Sequence, residues 1–170
     1  MRRTAVAALM LGILAANVTP GGLVSAQTKY AVTVTADQKT DFSKFQTYTW
    51  RTGQDSPDRT IHDQIVAAVD AELAKLGLKK QPSAPADLIV FYTSVQRTDI
   101  KLDAKRNAET GTRPELSVGS LVVTMRNAAG KELFRGRVDK PIEVTRAELK
   151  PVIDEAVKDV FEKYPTRTKK

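Results

Sequence analysis

Residues 116–138 read LSVGSLVVTMR, NAAG, KELFRGRV: a strand, a turn and a second strand. Val118, Leu121, Val122 and Val123 give the first run its strand character, and Asn127-Ala128-Ala129-Gly130 is a tight turn. From Glu132 to Val138, Phe134 and Val138 alternate with Arg135 and Arg137, which turns the two arginines away from the core. Two such runs joined so closely pair as an antiparallel hairpin.

Upstream, Asp87-Leu88-Ile89-Val90-Phe91-Tyr92 is short and almost continuously apolar, the pattern of a central strand covered on both faces. From Arg97 to Glu115 the chain is polar, with Gly111 and Pro114 near its end. That predicts a long mobile loop at about 97–115, or a frayed extension of two strands. Lys79 to Pro85 reads as a linker. Between Asp58 and Leu76, Ile61, Ile65, Ala68/Val69, Leu73 and Leu76 fall on one helical stripe. Ser56 followed by Pro57 predicts the N-cap, and Gly77 the terminator. Earlier still, Tyr30–Thr35 and Phe45–Trp50 alternate as strands.

Downstream, Thr145 and Glu148 fit a capping box. It opens a helix toward Tyr164, with Pro151 in or before its first turns and Pro165 as its stop. The order β-β-α-β-β-β-α predicts an α+β fold: an antiparallel or mixed sheet of about five strands, with two amphipathic helices packed on one face.

The N-terminus carries a different signal. Arg2 and Arg3 precede an apolar run, Ala5 to Ala16, and Pro20-Gly21-Gly22 leads to Val24-Ser25-Ala26. This is the pattern of a signal peptide, residues 1–26, cleaved after Ala26 by general secretion. A single domain follows at 27–165, then a basic tail at 166–170. The expected location is periplasmic or secreted, with no transmembrane segment after cleavage. The formal net charge is +7, and there is no cysteine. Disulfides, thiolate chemistry and lipidation on cysteine are therefore excluded. The basic balance suits an anionic lipid or polymer, while nucleic acid is not expected of an exported chain.

Some of these segments resemble a known family. Asp37 with Asp41-Phe42-Ser43-Lys44-Phe45-Gln46-Thr47-Tyr48-Thr49-Trp50 is similar to the opening motif of the domain-of-unknown-function family 4136, small exported bacterial proteins that are often lipoproteins. Ala86–Tyr92 resembles its buried strand, Lys131–Gly136 its late hairpin strand and Tyr164-Pro165 its closing aromatic-proline pair. The resemblance implies an envelope location and an α+β domain, and no activity. This chain departs in lacking the lipidated cysteine, and in Phe134 where the family often has tryptophan.

Few residues stand out as chemistry. His62, beside Asp63, is the single histidine. It suggests a general base or a ligand, but one histidine without a second ligand is a poor metal site. Asp37, Asp41, Asp55 and Asp58 lack the spacing of a calcium loop and suit caps and turns. Phe42, Phe45, Tyr48 and Trp50 read as core, with Trp50 a partner anchor if exposed. Arg126, Arg135 and Arg137 align as a basic stripe across the hairpin.

The expectation is therefore a non-enzymatic binding or scaffolding domain of the cell envelope. Trp50, Arg126, Arg135 and Arg137, or the 97–115 loop, would contact an envelope protein or an anionic lipid or polymer. No catalytic, cofactor or metal residues are assigned. The alternatives are a small hydrolase-like enzyme using Asp or His62 near the first helix, and a peripheral binder of anionic lipids.

Overall fold

The computed structural model describes residues 32–166. The leader 1–26, the start of the first predicted strand and all but Thr166 of the basic tail lie outside them. Among the described residues there are six strands: β1 (Thr33–Ala36), β2 (Thr47–Trp50), β3 (Lys79–Lys80), β4 (Leu88–Ile100), β5 (Glu115–Arg126) and β6 (Glu132–Pro141). They form one mixed sheet in the order β1-β6-β5-β4-β2-β3. Helices α1 (Arg59–Lys75) and α2 (Leu149–Phe161) pack on the same face.

The predicted hairpin is β5–β6, paired antiparallel from Val118↔Pro141 to Arg126↔Glu132, with Gly130 at φ 84° in its turn. A bulge at Met125/Arg126 leaves Leu133 unopposed, so Leu133 and Phe134 are both buried although they are neighbours in the chain. Gly136 lets α2 approach, since a Cβ there would lie 2.1 Å from Val160 Cγ1. Beside this contact Phe134 stacks on Phe161, with ring centroids 5.9 Å apart, and Tyr164 packs against both.

The sheet is mixed because β2 runs parallel to β4, with α1 as the crossover between them. The sixth strand is the two-residue β3 inside the predicted linker, whose exposed Lys79 and Lys80 blunt the sheet edge.

Two expectations need correction. The N-cap of α1 is Asp58, not Ser56: its Oδ1 accepts from the Thr60 and Ile61 amides at 2.9 and 3.3 Å, and Ser56 and Pro57 precede it. Strand β4 is central but covered by helices on one face only. Leu88, Val90 and Tyr92 are buried, whereas Ile89 and Phe91 are half-buried on the other face. There the Arg126 guanidinium sits 5.0 Å from the Phe91 ring centre, so arginine covers what a second helix layer would have covered. Of the two forms expected for the 97–115 segment, its ends take the strand extension: β4 and β5 stay paired as far as Ile100↔Glu115, and an internally bonded tip closes them.

The capping box is present, and it opens a 3-10 turn, Arg146–Glu148, that runs directly into α2. The Glu148 carboxylate accepts from the Thr145 amide at 3.1 Å and its hydroxyl at 2.8 Å, and Pro151 falls in the first turn of α2.

Candidate functional site

The residues singled out from the sequence do not form one site. Register places Arg126, Arg135 and Arg137 on the sheet face turned away from the helices, in line with Ile89, Phe91 and Thr93. Trp50 pairs with Val90, on the helix face. The sheet itself separates Trp50 from the arginines.

Arg135 and Arg137 of the basic stripe are ion-paired, whereas Arg126 lies against the Phe91 ring. Arg135 grips Glu132 through Nε and Nη2, both at 2.9 Å. Arg137 holds Asp139 at 3.2 and 3.1 Å, and Arg97 bridges Asp99 and Asp139, each at 3.2 Å. Burial alone would raise the pKa of Asp139; hydrogen bonds from Arg137 and Ser120 and the nearby guanidiniums outweigh it, so the net shift is downward. At the other end of the sheet, Lys131 and then Thr40 hold Asp37 at about 2.

Native carboxylates with depressed pKa values stay charged after those of the unfolded chain, at about 4, have taken up protons. Their stabilisation is complete above that range and is lost as pH falls through the native values. The urea midpoint should be flat above about pH 5 and fall between about pH 4 and about pH 2. Asp139→Asn should make that fall shallower.

On the helix face, Trp50 Nε1 and Tyr48 Oη both donate to Asp70 Oδ1, at 2.8 and 2.7 Å, and Lys80 reaches Oδ2 at 2.8 Å. Trp50 is therefore tied to α1. Burial, and after it the Asp70 carboxylate, pushes the Tyr48 phenol up.

His62 and Asp63 are not a dyad. His62 Nδ1 lies 2.8 Å from Tyr92 Oη, which also accepts from the Ser56 amide at 3.0 Å, while Asp63 faces Arg59 at 3.9 Å. Asp37, Asp41 and Asp58 serve turns and caps: Asp37 accepts from Thr40 at 2.6 Å and Asp41 from the Ser43 amide at 3.1 Å.

A cavity of about 360 Å³ lies between the N-terminal halves of the two helices and the end of the sheet. Ile61 and Ile65 of α1 form one wall, and Val152, Ile153 and Ala156 of α2 the other. Ser94, Gly119, Leu121 and Val138 form the floor. An ion pair between Asp58 and Arg146 ties the start of α1 to the turn before α2. Lys140, on the lining, is held by Asp159 at 2.9 Å and Glu155 at 3.5 Å.

Sequence reasoning missed this cavity, although a signal was present. Helix-facing positions of β4 run Leu88, Val90, Tyr92 and then Ser94, Gln96, Thr98, and Gly119 faces Gln96 on β5. Bulky side chains stop while the strands continue, which leaves a gap under the helices.

The chain belongs to the family described as Domain of unknown function (DUF4136), which matches residues 32–166. Its opening motif is structural here. Asp41 caps a turn, Phe42 packs edge-on to Tyr164 with ring centroids 5.3 Å apart, and Tyr48 and Trp50 bind Asp70. In the second resembling segment, Asp87 Oδ2 accepts from the Gln46 and Thr47 amides, both at 2.9 Å, and so joins β2 to β4.

No curated protein matches the sequence. Among solved structures, the fold is similar to a PDZ domain protein from Parabacteroides distasonis (TM-score 0.58, 17% identity, 83% of this chain). This chain spans only 36% of that protein. It is also similar to the PelC dodecamer from Paraburkholderia phytofirmans (TM-score 0.53, 8% identity, 82% of this chain and 99% of that one). A weaker likeness is to uncharacterized lipoprotein B from Nitrosomonas europaea (TM-score 0.44, 11% identity, 69% of this chain and 80% of that one). At these identities the likenesses show the fold alone. Among the described residues, no helix is long and apolar enough to cross a membrane.

Proposed function

We propose that this protein is a non-enzymatic binding domain of the bacterial envelope, exported by its N-terminal leader, and that it holds an apolar group in the cavity between α1 and α2. The observation that carries this reading is the cavity: its volume falls in the range of small-ligand sites, and its walls are apolar with a few polar groups at the floor and rim. The arginine stripe is the weaker candidate because Arg135 and Arg137, with Arg97 beside them, already bind carboxylates that a ligand would have to displace, and Arg126 lies against the Phe91 ring. Lys140 is likewise engaged by two acids, so a neutral apolar chain suits the cavity better than an anion.

Titration with straight-chain alcohols of increasing length, competed against a fluorescent apolar dye, tests the reading. Affinity should rise with chain length, by about 0.8 kcal/mol for each methylene buried, until the cavity is full. Ser94→Phe, which fills the floor, should weaken binding at least about tenfold while leaving the fold intact. Equal binding by the wild type and Ser94→Phe would refute the assignment. Mass measurement of the protein recovered from the envelope fraction tests export, with cleavage after Ala26 as the expected result.

A further inference from the structure

Strands β4 and β5 continue past the rest of the sheet. The last β5–β6 pair is Val118↔Pro141, whereas β4 and β5 remain paired through Thr98↔Ser117, Asp99↔Leu116 and Ile100↔Glu115. Three further pairs carry the hairpin roughly 10 Å outward before its 101–114 tip begins. The tip is braced from within. Asn107 Oδ1 accepts from the Glu109 and Thr110 amides at 2.8 and 3.0 Å, and Arg106 Nη1 donates to the Gly111 carbonyl at 3.0 Å.

Two large apolar side chains sit exposed on this projection. Ile100 is 54% and Leu102 68% exposed, more than any other large apolar residue described. Lys101 bonds Glu143 at 2.6 Å, which brings Val144, itself 39% exposed, to the same end. Around them the tip carries Lys105, Arg106 and Arg113, with Lys101 paired to Glu143, against Asp103 and Glu109.

We propose that this tip docks the protein on an anionic lipid bilayer. Ile100 and Leu102 enter the boundary between headgroups and acyl chains, and the surrounding cations meet lipid phosphates. Two neighbouring apolar residues alone make a small apolar patch beside the roughly 800 Å² per partner of a standard protein interface. Apolar groups rimmed by cations are instead the combination that holds surface elements at anionic bilayers. This inference is independent of the cavity reading, because the cavity and the tip share no residue used in either test.

Co-sedimentation with vesicles of phosphatidylglycerol and phosphatidylethanolamine, against vesicles of phosphatidylcholine alone, tests it. The wild type should favour the anionic vesicles and lose binding as salt rises. Ile100→Thr with Leu102→Ser should reduce partition about tenfold or more. Lys105→Glu with Arg106→Glu should abolish the preference for anionic lipid. All forms share one N-terminus, so binding through residues 1–31 cancels in the comparison. Unchanged circular dichroism and thermal midpoints would show that these exposed positions leave the fold intact. Variants that sediment like the wild type, or a wild type that binds neither vesicle, would overturn the proposal. Capture of the tip by a protein partner without vesicle binding would overturn it equally.

Discussion

Gly136→Ala is expected to destabilise the domain by about 2–3 kcal/mol, an overpacking cost at the upper end for one added methyl. The new Cβ would lie 2.1 Å from Val160 Cγ1 and 3.4 Å from Phe134 Cε1. Neither neighbour can retreat easily, because Val160, Phe134 and Phe161 are all fully buried and a valine side chain has little rotamer freedom on a helix. Relief must come from α2 moving off β6, which would loosen the Phe134–Phe161–Tyr164 stack. Val160→Ala should rescue part of the loss, so the double variant should be more stable than the sum of the single changes predicts. Urea denaturation of the four proteins gives the coupling directly. Additive losses would mean that the close approach of α2 to β6 is not what Gly136 permits.

Asp70→Ala should cost about 3 kcal/mol. It removes the shared acceptor of Tyr48 and Trp50, and Tyr48 is only 2% exposed, so its hydroxyl would be left buried without a partner. Each orphaned buried group costs about 1–3 kcal/mol. Lys80 also loses its carboxylate, but that pair is half-exposed and contributes little. Asp70→Asn should be milder, since its amide oxygen can still accept one of the two bonds. Trp50 is the single tryptophan, so its fluorescence reports the site without interference. An emission maximum that stays in place in Asp70→Ala, with unchanged stability, would contradict the role given to this carboxylate.

Most of the fold was legible because local chemistry and tertiary structure agree. Asn127–Gly130 between two alternating runs specifies the β5–β6 hairpin, and Thr145 with Glu148 specifies the start of α2. The aromatic residues of Phe42–Trp50 read as core, and Phe42 and Tyr48 are buried. What failed depended on distant partners. Ser56-Pro57 looks like a cap-and-first-turn pair, but Asp58 is placed to accept from the first amides of α1, and the Ser56 amide bonds Tyr92 instead. The run from Leu88 to Tyr92 suggested cover on both faces; on one of them arginine stems and ion pairs serve in place of a layer.

The candidate site was the least legible part. Arg126, Arg135 and Arg137 share one face, yet Glu132 pairs with Arg135, Asp139 pairs with Arg137, and Arg126 lies against the Phe91 ring, so the stripe is largely a paired surface. Asp70 gave no local sign of its role, because its partners lie two residues apart on a strand some twenty positions earlier. The cavity is an absence of bulk at Ser94 and Gly119, which becomes visible only when those positions are set beneath both helices.

The most direct test of the binding assignment is methyl NMR of the protein titrated with octanol. Saturable shifts are expected at Ile61, Ile65, Leu121, Val152 and Ile153, with little change at Val123 and Met125, which lie outside the cavity on the same helix-covered face of the sheet. Shifts spread over the surface without saturation, or none at the cavity methyls, would contradict it.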